Sequence, residues 1–420
     1  MFMYKQAKKP VRPQADTIKL IKEVFVTLEN VFLNDQYMDK AIEKTMRKNK
    51  RWGVKDRAFV AEATYNIVRN WRLLCTVNDV REGEKIINWW HLYFTSLLLF
   101  EKTIPEISQA KGFNRDKTLN KLEKYWKIRK LRESYPDWLD NLCQKEIGLR
   151  WEKLSSALNK PARMVLRANS LKTKPEELQQ LLQEINIETT LIEWSPEALE
   201  LTYSRNVFRT EEFAAGLFEV QDSASQMVSE FLDAKSGMRV VDACAGTGGK
   251  TLHIAALMRN KGRIIALDNK EFKLQELRKR SARAGINIIE ARAIDSTKVI
   301  KRLYDSADRV LLDVPCSGTG ILRRNPDSKW KLTEEEVIRV REQQRDLLQR
   351  YAPITKIGGK MLYATCSILP SEGEEQVKWF LENNANWSFV GEKRYWTDTL
   401  GCDSFYMALL ERKIVDGCWL

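Results

Sequence analysis

The sequence predicts three regions: an all-helical region, a small α+β region, and an α/β region with a mostly parallel sheet wound on both faces. Apolar residues recur at helical spacing from 17 to 130, short strand-like and helix-like segments mix from 137 to 235, and apolar runs alternate with amphipathic segments after 236. A chain of 420 residues also exceeds the usual size of one domain. We therefore expect domains at residues 1–135, 136–235 and 236–420.

The N-terminal region contains amphipathic segments with few glycines and prolines. In TIKLIKEVFVTLENVFL, apolar residues follow one another at three- and four-residue spacing, as on one face of a helix. Residues 52–74, WGVKDRAFVAEATYNIVRNWRLL, combine a basic and aromatic face with an apolar one. This segment resembles the helical module of the antitermination factor NusB, which is an RNA-binding fold. A charged stretch that ends at Pro136 marks the expected domain boundary.

The positive charge of the chain is concentrated in the same region. The formal net charge is +13, and residues 1–130 carry 27 Lys and Arg against 15 Asp and Glu. Residues 131–420 are nearly balanced, with 43 against 42. Basic side chains that neutralise phosphates release counterions and so raise the affinity for a polyanion. The local surplus predicts an RNA-binding surface, with a merely solvated helical face as the alternative.

The cysteines and the apolar runs indicate the cellular compartment in which we expect the protein. Seven cysteines show no paired spacing, and no signal peptide is recognisable, which favours a reducing compartment over a disulfide framework. We therefore expect a cytoplasmic protein. The apolar run NWWHLYFTSLLLF at 88–100 is shorter than the roughly 20 residues of a membrane span. It predicts a core helix.

The alternation after residue 236 places polar side chains at the ends of predicted strands. The strands are MRVVDACAG, GRIIALD, INIIEARAID, ADRVLLDVPC and KMLYATCS, with helices such as EFKLQELRKRSARAG between them. Ligands of parallel sheets bind at the carboxyl ends of the strands. Asp268, Asp295, Asp313, Cys316 and Cys366 all fall at those ends, so the sequence predicts a site there.

The first of these strands leads into a glycine-rich loop, DACAGTGGKT, at 242–251. A phosphate-binding P-loop needs glycine where this chain has Cys244, and a dinucleotide motif needs glycine where it has Thr251. What remains is a loop that suits an amino-acid or sulfonium group near a helix N-terminus. Asp268, about 20 residues further on, could accept hydrogen bonds from ribose hydroxyls. Alone, Asp268 could equally be a helix cap, but together with the loop it favours S-adenosylmethionine as the cofactor.

The two cysteines at the strand ends have the nucleophilic side chain that methylation of cytosine at C5 requires. C5 of cytosine cannot attack a methyl sulfonium until a nucleophile adds to C6, and a cysteine thiolate adds well near neutral pH. An acid must also hydrogen-bond the N3 and N4 edge of the base, and Asp313 lies three residues before Cys316. A metal site is not expected, because neither cysteine belongs to a C-x-x-C pair and the sequence has only two histidines. Two buried structural cysteines are the other alternative.

Five motifs carry a resemblance to a known family. In chain order they are VQDSASQMV, DACAGTGGKT, LDVPCSGTGILRRNPDSKW, YATCSILPSEGEEQV and DSFYMALLERK. Residues 137–412 resemble the RNA cytosine-5 methyltransferases of the RsmB (Sun) family, and the NusB-like N-terminus fits the same family. The resemblance implies a Rossmann-like class I methyltransferase domain at 236–420. It also implies S-adenosylmethionine as cofactor and ribosomal RNA as partner. We expect a monomer without metal or membrane.

The resemblance further assigns roles to residues. It implies that Cys366, in T-C-S, is the nucleophile, that Cys316, in P-C-S, assists release of the product, and that Asp313 faces both cofactor and base. Asp268 would contact the ribose, and Asp295 would lie near the adenine. The cofactor loop would consist of Cys244, Ala245, Gly246, Thr247, Gly248, Gly249 and Lys250.

Some positions depart from the family pattern or leave two interpretations open. Gly246-Thr247 stands where Ala-Pro is usual. Lys273 is also expected at the cofactor site. It stands where arginine is common, and a lysine cannot make the bidentate contact of a guanidinium. In RRNPDSKW, the side chains of Arg323, Arg324 and Lys329 could contact RNA phosphates or could have a structural role in their loop.

Two rival functions belong to other classes. A catalytically silent RNA-binding or ribosome-assembly factor would keep the fold and the basic helices, but it would not need Cys316, Cys366 and Asp313. A DNA cytosine methyltransferase would use the P-C cysteine as its nucleophile. The T-C-S cysteine and the NusB-like segment count against that reading.

Overall fold

A computed structural model of the chain describes residues 14–81, 84, 86–203 and 205–414. The chain divides into two compact units: the first consists of Met1–Asn141 and Asn325–Lys331, and the second of Leu142–Arg324 and Leu332–Leu420. Part of the predicted basic surplus, in residues 1–13, lies outside the described residues, as does Cys418.

The described residues form helices and strands with the following bounds. The helices are α1 Gln14–Phe32, α2 Met38–Lys48, α3 Val54–Arg69, α4 Trp71–Val77, α5 Trp89–Leu99, α6 Arg115–Trp126, α7 Arg129–Arg132, α8 Asp137–Ile147, α9 Trp151–Leu158, α10 Pro175–Glu184, α11 Glu211–Ala214, α12 Ser223–Phe231, α13 Gly249–Leu257, α14 Glu271–Ala284, α15 Thr297–Lys301, α16 Ser328–Lys331, α17 Glu334–Tyr351, α18 Glu374–Glu382 and α19 Thr397–Leu400. The strands are β1 Val165–Ala168, β2 Thr189–Leu191, β3 Ala198–Leu201, β4 Phe218–Val220, β5 Arg239–Asp242, β6 Arg263–Asp268, β7 Ile289–Ala293, β8 Ala307–Asp313, β9 Thr355–Thr365, β10 Trp387–Tyr395 and β11 Phe405–Arg412.

The first unit is helical throughout its described regular elements, as the sequence predicts. On α1, the side chains of Leu20, Ile21, Val24 and Leu28 are buried, which is the three- and four-residue spacing of one helix face. The apolar run at 88–100 forms α5, whose Leu92 and Phe94 are fully buried in the same core. The prediction of a core helix there is confirmed. None of the helices in the described ranges is both long and apolar enough to cross a membrane.

The segment Asn325–Lys331 is integrated into this helical unit. Lys329 is 1% exposed, and its Nζ donates to the carbonyl oxygens of Arg69 and Glu133 at 2.7 and 3.1 Å. Burial, followed by the positive charge of Arg69, holds the pKa of Lys329 well below its ordinary value. A buried amine with carbonyl partners is not available to RNA, so the phosphate-contact hypothesis for Lys329 is wrong and the structural alternative is correct.

The small α+β region of the second unit contains a four-stranded sheet. Its strand order is β2-β3-β1-β4, and every pairing in it is antiparallel. Helix α10 contributes Leu178 and Leu182 to the core under this sheet. Strand β1 and helix α10 are among the short strands and helices that the sequence predicts between residues 137 and 235.

The α/β region contains a seven-stranded sheet with the order β10-β11-β9-β8-β5-β6-β7. Strands β5 to β9 pair in parallel, while β11 pairs antiparallel with β9 and with β10. From β5 the chain first proceeds to β6 and β7 on one side, and then returns to β8 and β9 on the other. The loops after β5 and β8 therefore diverge at a switch point, where ligands of such sheets bind.

Helices cover both faces of the seven-stranded sheet. Along β8, Val310 and Leu312 pack into one hydrophobic core and Leu311 into the other, as expected for side chains that alternate across a strand. Because both faces are buried, the parallel strands appear in the sequence as nearly continuous apolar runs.

Candidate active site at the strand ends

The loop Cys244–Lys250 joins β5 to α13 and is fixed by its backbone. Ala245 N donates to the carbonyl oxygen of Leu267, at the end of β6, at 2.9 Å. Gly248 has a φ of 86°, and a Cβ there would lie 2.6 Å from Leu277 Cγ, so this position requires glycine. At Gly246 and Gly249, by contrast, a Cβ would meet nothing within 4 Å. The loop is thus rigid and has open space beside it.

Asp268 ends β6 and is bonded to this loop. Its Oδ2 accepts from Gly246 N at 3.0 Å, and its Oδ1 accepts from Lys270 N at 2.8 Å. Each carboxylate oxygen can accept a further hydrogen bond. Lys273 Nζ lies 3.8 Å from Asp268 Oδ2, so the structure brings these two predicted residues together.

Asp295 follows β7, the strand next to β6. Its side chain is exposed and accepts a hydrogen bond from Ser296 Oγ at 3.0 Å. The preceding residue, Ile294, donates its backbone N–H to the carbonyl oxygen of Asp268 at 3.0 Å. Asp295 therefore follows directly on a residue that is bonded to Asp268.

Asp313, at the end of β8, forms an ion pair with the last residue of the loop. Lys250 Nζ lies 2.6 Å from Asp313 Oδ2, with both side chains partly exposed. Burial lowers the pKa of Lys250, but the Asp313 carboxylate offsets this, and the net result is a raised pKa. Lys250 is therefore a protonated cation at the end of the glycine-rich loop, paired with Asp313.

The two cysteines extend from neighbouring strands and meet. Cys316 follows β8 and Cys366 follows β9, and these strands pair in parallel with Asp313 opposite Ala364. The two Sγ atoms lie 3.3 Å apart as free thiols. Their hydrogen bond, burial and the nearby Asp313 raise the pKa of Cys366 well above its ordinary value, while Lys250 opposes the shift.

Comparison with known proteins identifies the family. A model of the family 16S rRNA methyltransferase RsmB/F matches residues 229–410, and one of the ferredoxin-like domain of RsmF/B-like methyltransferases matches residues 135–208. A Synechocystis protein named probable ribosomal RNA small subunit methyltransferase B is 31% identical over 411 residues, which cover 90% of this chain and 92% of that protein. The chain belongs to the RsmB/F family.

Two further relatives agree with this assignment. The ribosomal RNA small subunit methyltransferase B of Vibrio cholerae is 33% identical over 67% of this chain and 66% of its own length. The crystal structure of a methyltransferase homologue from Pyrococcus horikoshii is 27% identical, with a TM-score of 0.61 over 68% of this chain and 98% of that chain. Membership of the RsmB/F family confirms the predicted fold class, an RNA methyltransferase as the enzyme class, and S-adenosylmethionine as the cofactor.

The residues present fit that cofactor. Asp268 retains acceptor capacity at the end of β6, as hydrogen bonds from ribose hydroxyls require. The space beside Gly246 and Gly249 is open to a ligand. Asp242, which the sequence analysis did not single out, lies under this loop, where its Oδ2 accepts from Thr251 Oγ1 at 2.7 Å. Burial raises the pKa of Asp242 to about 7.

Arg323 and Arg324 are held by protein groups. Arg323 Nη1 donates to the carbonyl oxygens of Gly401, at 2.5 Å, and Cys402, at 3.2 Å. Arg324 pairs with Asp222 at 2.9 Å and with Asp403 at 2.5 Å. Both guanidinium groups thus brace the loop after β8, which favours the structural alternative over phosphate contacts.

One other cluster joins the two sheets of the second unit. His253 Nε2, on α13, lies 2.5 Å from Glu197 Oε2 and 3.9 Å from Glu230 Oε1. Burial lowers the pKa of His253 to about 4. The short distance is that of a direct hydrogen bond between His253 Nε2 and the Glu197 carboxylate.

Proposed function

We propose that this enzyme methylates C5 of a cytosine in small-subunit ribosomal RNA, with Cys366 as the nucleophile. The observation that carries the proposal is the pair of thiols 3.3 Å apart, beside the ion pair of Asp313 and Lys250. The names of the relatives support small-subunit ribosomal RNA as the substrate.

Cys366 opens the reaction by adding to the base. Its thiolate forms a bond to C6 of cytosine, and the electron pair of the C5–C6 double bond makes C5 nucleophilic. Asp313 accepts a hydrogen bond from the N4 amino group of the base and, once protonated, donates one to N3, where negative charge develops. Lys250 keeps Asp313 in place, and its positive charge favours the thiolate form of Cys366.

Cys316 acts after the methyl group has arrived. C5 then carries both a hydrogen and the methyl group. The thiolate of Cys316 accepts that proton, and the C5–H electron pair returns to the C5–C6 double bond while the C6–S bond breaks and Cys366 leaves as a thiolate. The 3.3 Å between the two sulfurs allows Cys316 to reach the same base and assist this release.

S-adenosylmethionine, when bound, supplies the methyl group. The residues that would hold it are Lys273, Asp268, Asp295 and the loop Cys244–Lys250. Asp313 is paired with Lys250 of this loop and precedes Cys316 by three residues, so we expect it to face both cofactor and base.

The substrate cytosine must leave its base stack, because C6 cannot be reached inside a helix. The basic N-terminal region supplies non-specific affinity for the RNA. We further propose that the enzyme is a monomer and that it acts in the cytoplasm. A catalytically silent assembly factor is the alternative function.

The test is methyl transfer to small-subunit RNA from radiolabelled S-adenosylmethionine, followed by bisulfite sequencing of the product. We expect label in RNA and bisulfite-resistant cytosine at one or a few positions. Label in another base would contradict the C5 reaction, and absence of any transfer from a correctly folded, cofactor-binding enzyme would favour the silent assembly factor.

A further inference from the structure

A buried carboxylate lies between the two loops that carry the thiols. Glu372 follows β9 by seven residues and is 0% exposed. A carboxylate without solvent must have its acceptor sites filled, because burying it otherwise costs several kcal/mol. Its four hydrogen-bond donors are neutral groups, which distinguishes Glu372 from the ion-paired acids of this unit.

The donors divide evenly between the two carboxylate oxygens. Oε1 accepts from Ser317 Oγ at 2.5 Å and from Ser367 Oγ at 2.7 Å. Oε2 accepts from Ser317 N and from Gln344 Nε2, both at 2.9 Å. These four bonds use the full acceptor capacity of a carboxylate.

Two of the donor residues are the immediate sequence neighbours of the two cysteines. Ser317 directly follows Cys316, and Ser367 directly follows Cys366. Gln344 Nε2 also donates to the carbonyl oxygen of Pro315 at 3.0 Å. One carboxylate therefore fixes the backbone beside Cys316 and the side chain beside Cys366 at the same time.

We propose that Glu372 is a positioning residue that holds Cys316 and Cys366 close enough to act on one base. The proposal rests on the two-thiol reaction proposed above, although its geometric part can be measured without RNA. Glutamine could not replace the carboxylate. An amide has one acceptor oxygen, and its NH₂ group would face two of the four donors.

The first experiment compares Glu372→Gln with Glu375→Gln, the same change at an exposed neighbour. Phenylarsine oxide binds two thiols only when they are adjacent, so it should protect Cys316 and Cys366 of the wild type from alkylation. We expect Glu375→Gln to behave as the wild type and Glu372→Gln to lose this protection. We also expect kcat to fall by about a hundredfold in Glu372→Gln, the effect of a misplacement of about 1 Å, with the KM for RNA and the affinity for S-adenosylmethionine unchanged.

Two milder variants keep the carboxylate in case Glu372→Gln does not fold. Ser317→Ala and Ser367→Ala each remove a hydroxyl donor to Oε1, and both should weaken protection and lower kcat with less effect on KM. Wild-type protection and kcat in all the variants that fold would overturn the positioning role. If the wild type is protected by the arsenical but does not methylate RNA, the proposed function fails, and the loss of protection in the variants still decides the role of Glu372.

Discussion

The thiol of Cys366 holds its proton more firmly than an ordinary cysteine does. The hydrogen bond with Cys316 is the largest cause of its raised pKa, and burial adds to it. A thiol cannot add to C6, so entry of the base must separate the two sulfurs or bring further positive charge. The positive charge of Lys250 already lowers the pKa of Cys366 but does not cancel the rise.

The pH dependence of alkylation tests this description of Cys366. Because its pKa is raised, the thiolate forms only at high pH, and the alkylation midpoint of Cys366 should lie above the ordinary value of about 8.5. Cys316→Ala removes the largest cause of the shift and should lower that midpoint. The rate of iodoacetamide modification of Cys366, followed by peptide mass spectrometry from pH 6 to 11, measures it. An unchanged midpoint in Cys316→Ala would contradict the role of the sulfur–sulfur hydrogen bond.

The loops after β8 and β9 are bonded to each other as well as to Glu372. Gly320 N donates to the carbonyl oxygen of Cys366 at 2.8 Å, and Ile368 N donates to Thr319 Oγ1 at 3.1 Å. A Cβ at Gly320 would lie 2.3 Å from Ser404 O and 2.5 Å from Cys366 O. The second glycine of CSGTG is therefore required by the close approach of three backbone segments.

Gly320→Ala should push the two thiol loops apart. Overpacking of this kind costs about 1–3 kcal/mol of folding free energy, and we expect methyl transfer to fall further than the stability alone explains. Gly391→Ala, where a Cβ would meet only Phe231 at 3.9 Å, is the matched control. Denaturant unfolding and methyl-transfer rates measure both effects, and a Gly320→Ala enzyme with wild-type stability and rate would contradict the tight packing.

The site residues at the ends of the strands could be predicted from the sequence. Parallel strands buried on both faces appear as apolar runs, so Asp268, Asp313, Cys316 and Cys366 could be placed where those runs stop. The pair of Lys250 and Asp313 could not be predicted, because its members lie 63 positions apart in the sequence. Glu372 gave no signal either, since only its contacts distinguish it from the other acids in SEGEE.

At the scale of the whole chain, the unit to which the segment Asn325–Lys331 belongs could not be predicted from the sequence. It lies within a catalytic-domain motif in the sequence, yet it belongs to the helical unit in the structure. Asp327 Oδ2 accepts from Met38 N at 2.8 Å, and Trp330 Nε1 donates to Val68 O at 3.0 Å. These contacts join residues 289 and 262 positions apart, and no local pattern predicts them.

This arrangement also determines how the basic surface should be tested. Deleting residues 1–135 would expose the side chains of Asp327, Lys329 and Trp330, so substitutions are the cleaner change. Lys50, Arg51 and Lys55 are exposed residues between α2 and α3 or at the start of α3. Replacing all three by alanine should weaken RNA binding and reduce its salt slope by up to about 2, without changing the affinity for S-adenosylmethionine. An unchanged slope in filter-binding titrations would indicate that these residues form a solvated face.

The formation of a covalent complex between protein and RNA tests the two-thiol reaction most directly. Cys366→Ala should bind RNA but form no bond to C6, and therefore neither methylate the RNA nor cross-link to it. Cys316→Ala should add to the base and receive the methyl group, but release slowly, so methylated RNA should stay attached to the protein through denaturing electrophoresis. The double variant should lose that complex, because Cys366 makes the bond. A complex trapped by Cys366→Ala and absent from Cys316→Ala would reverse the two roles, and full activity in both single variants would contradict the reaction.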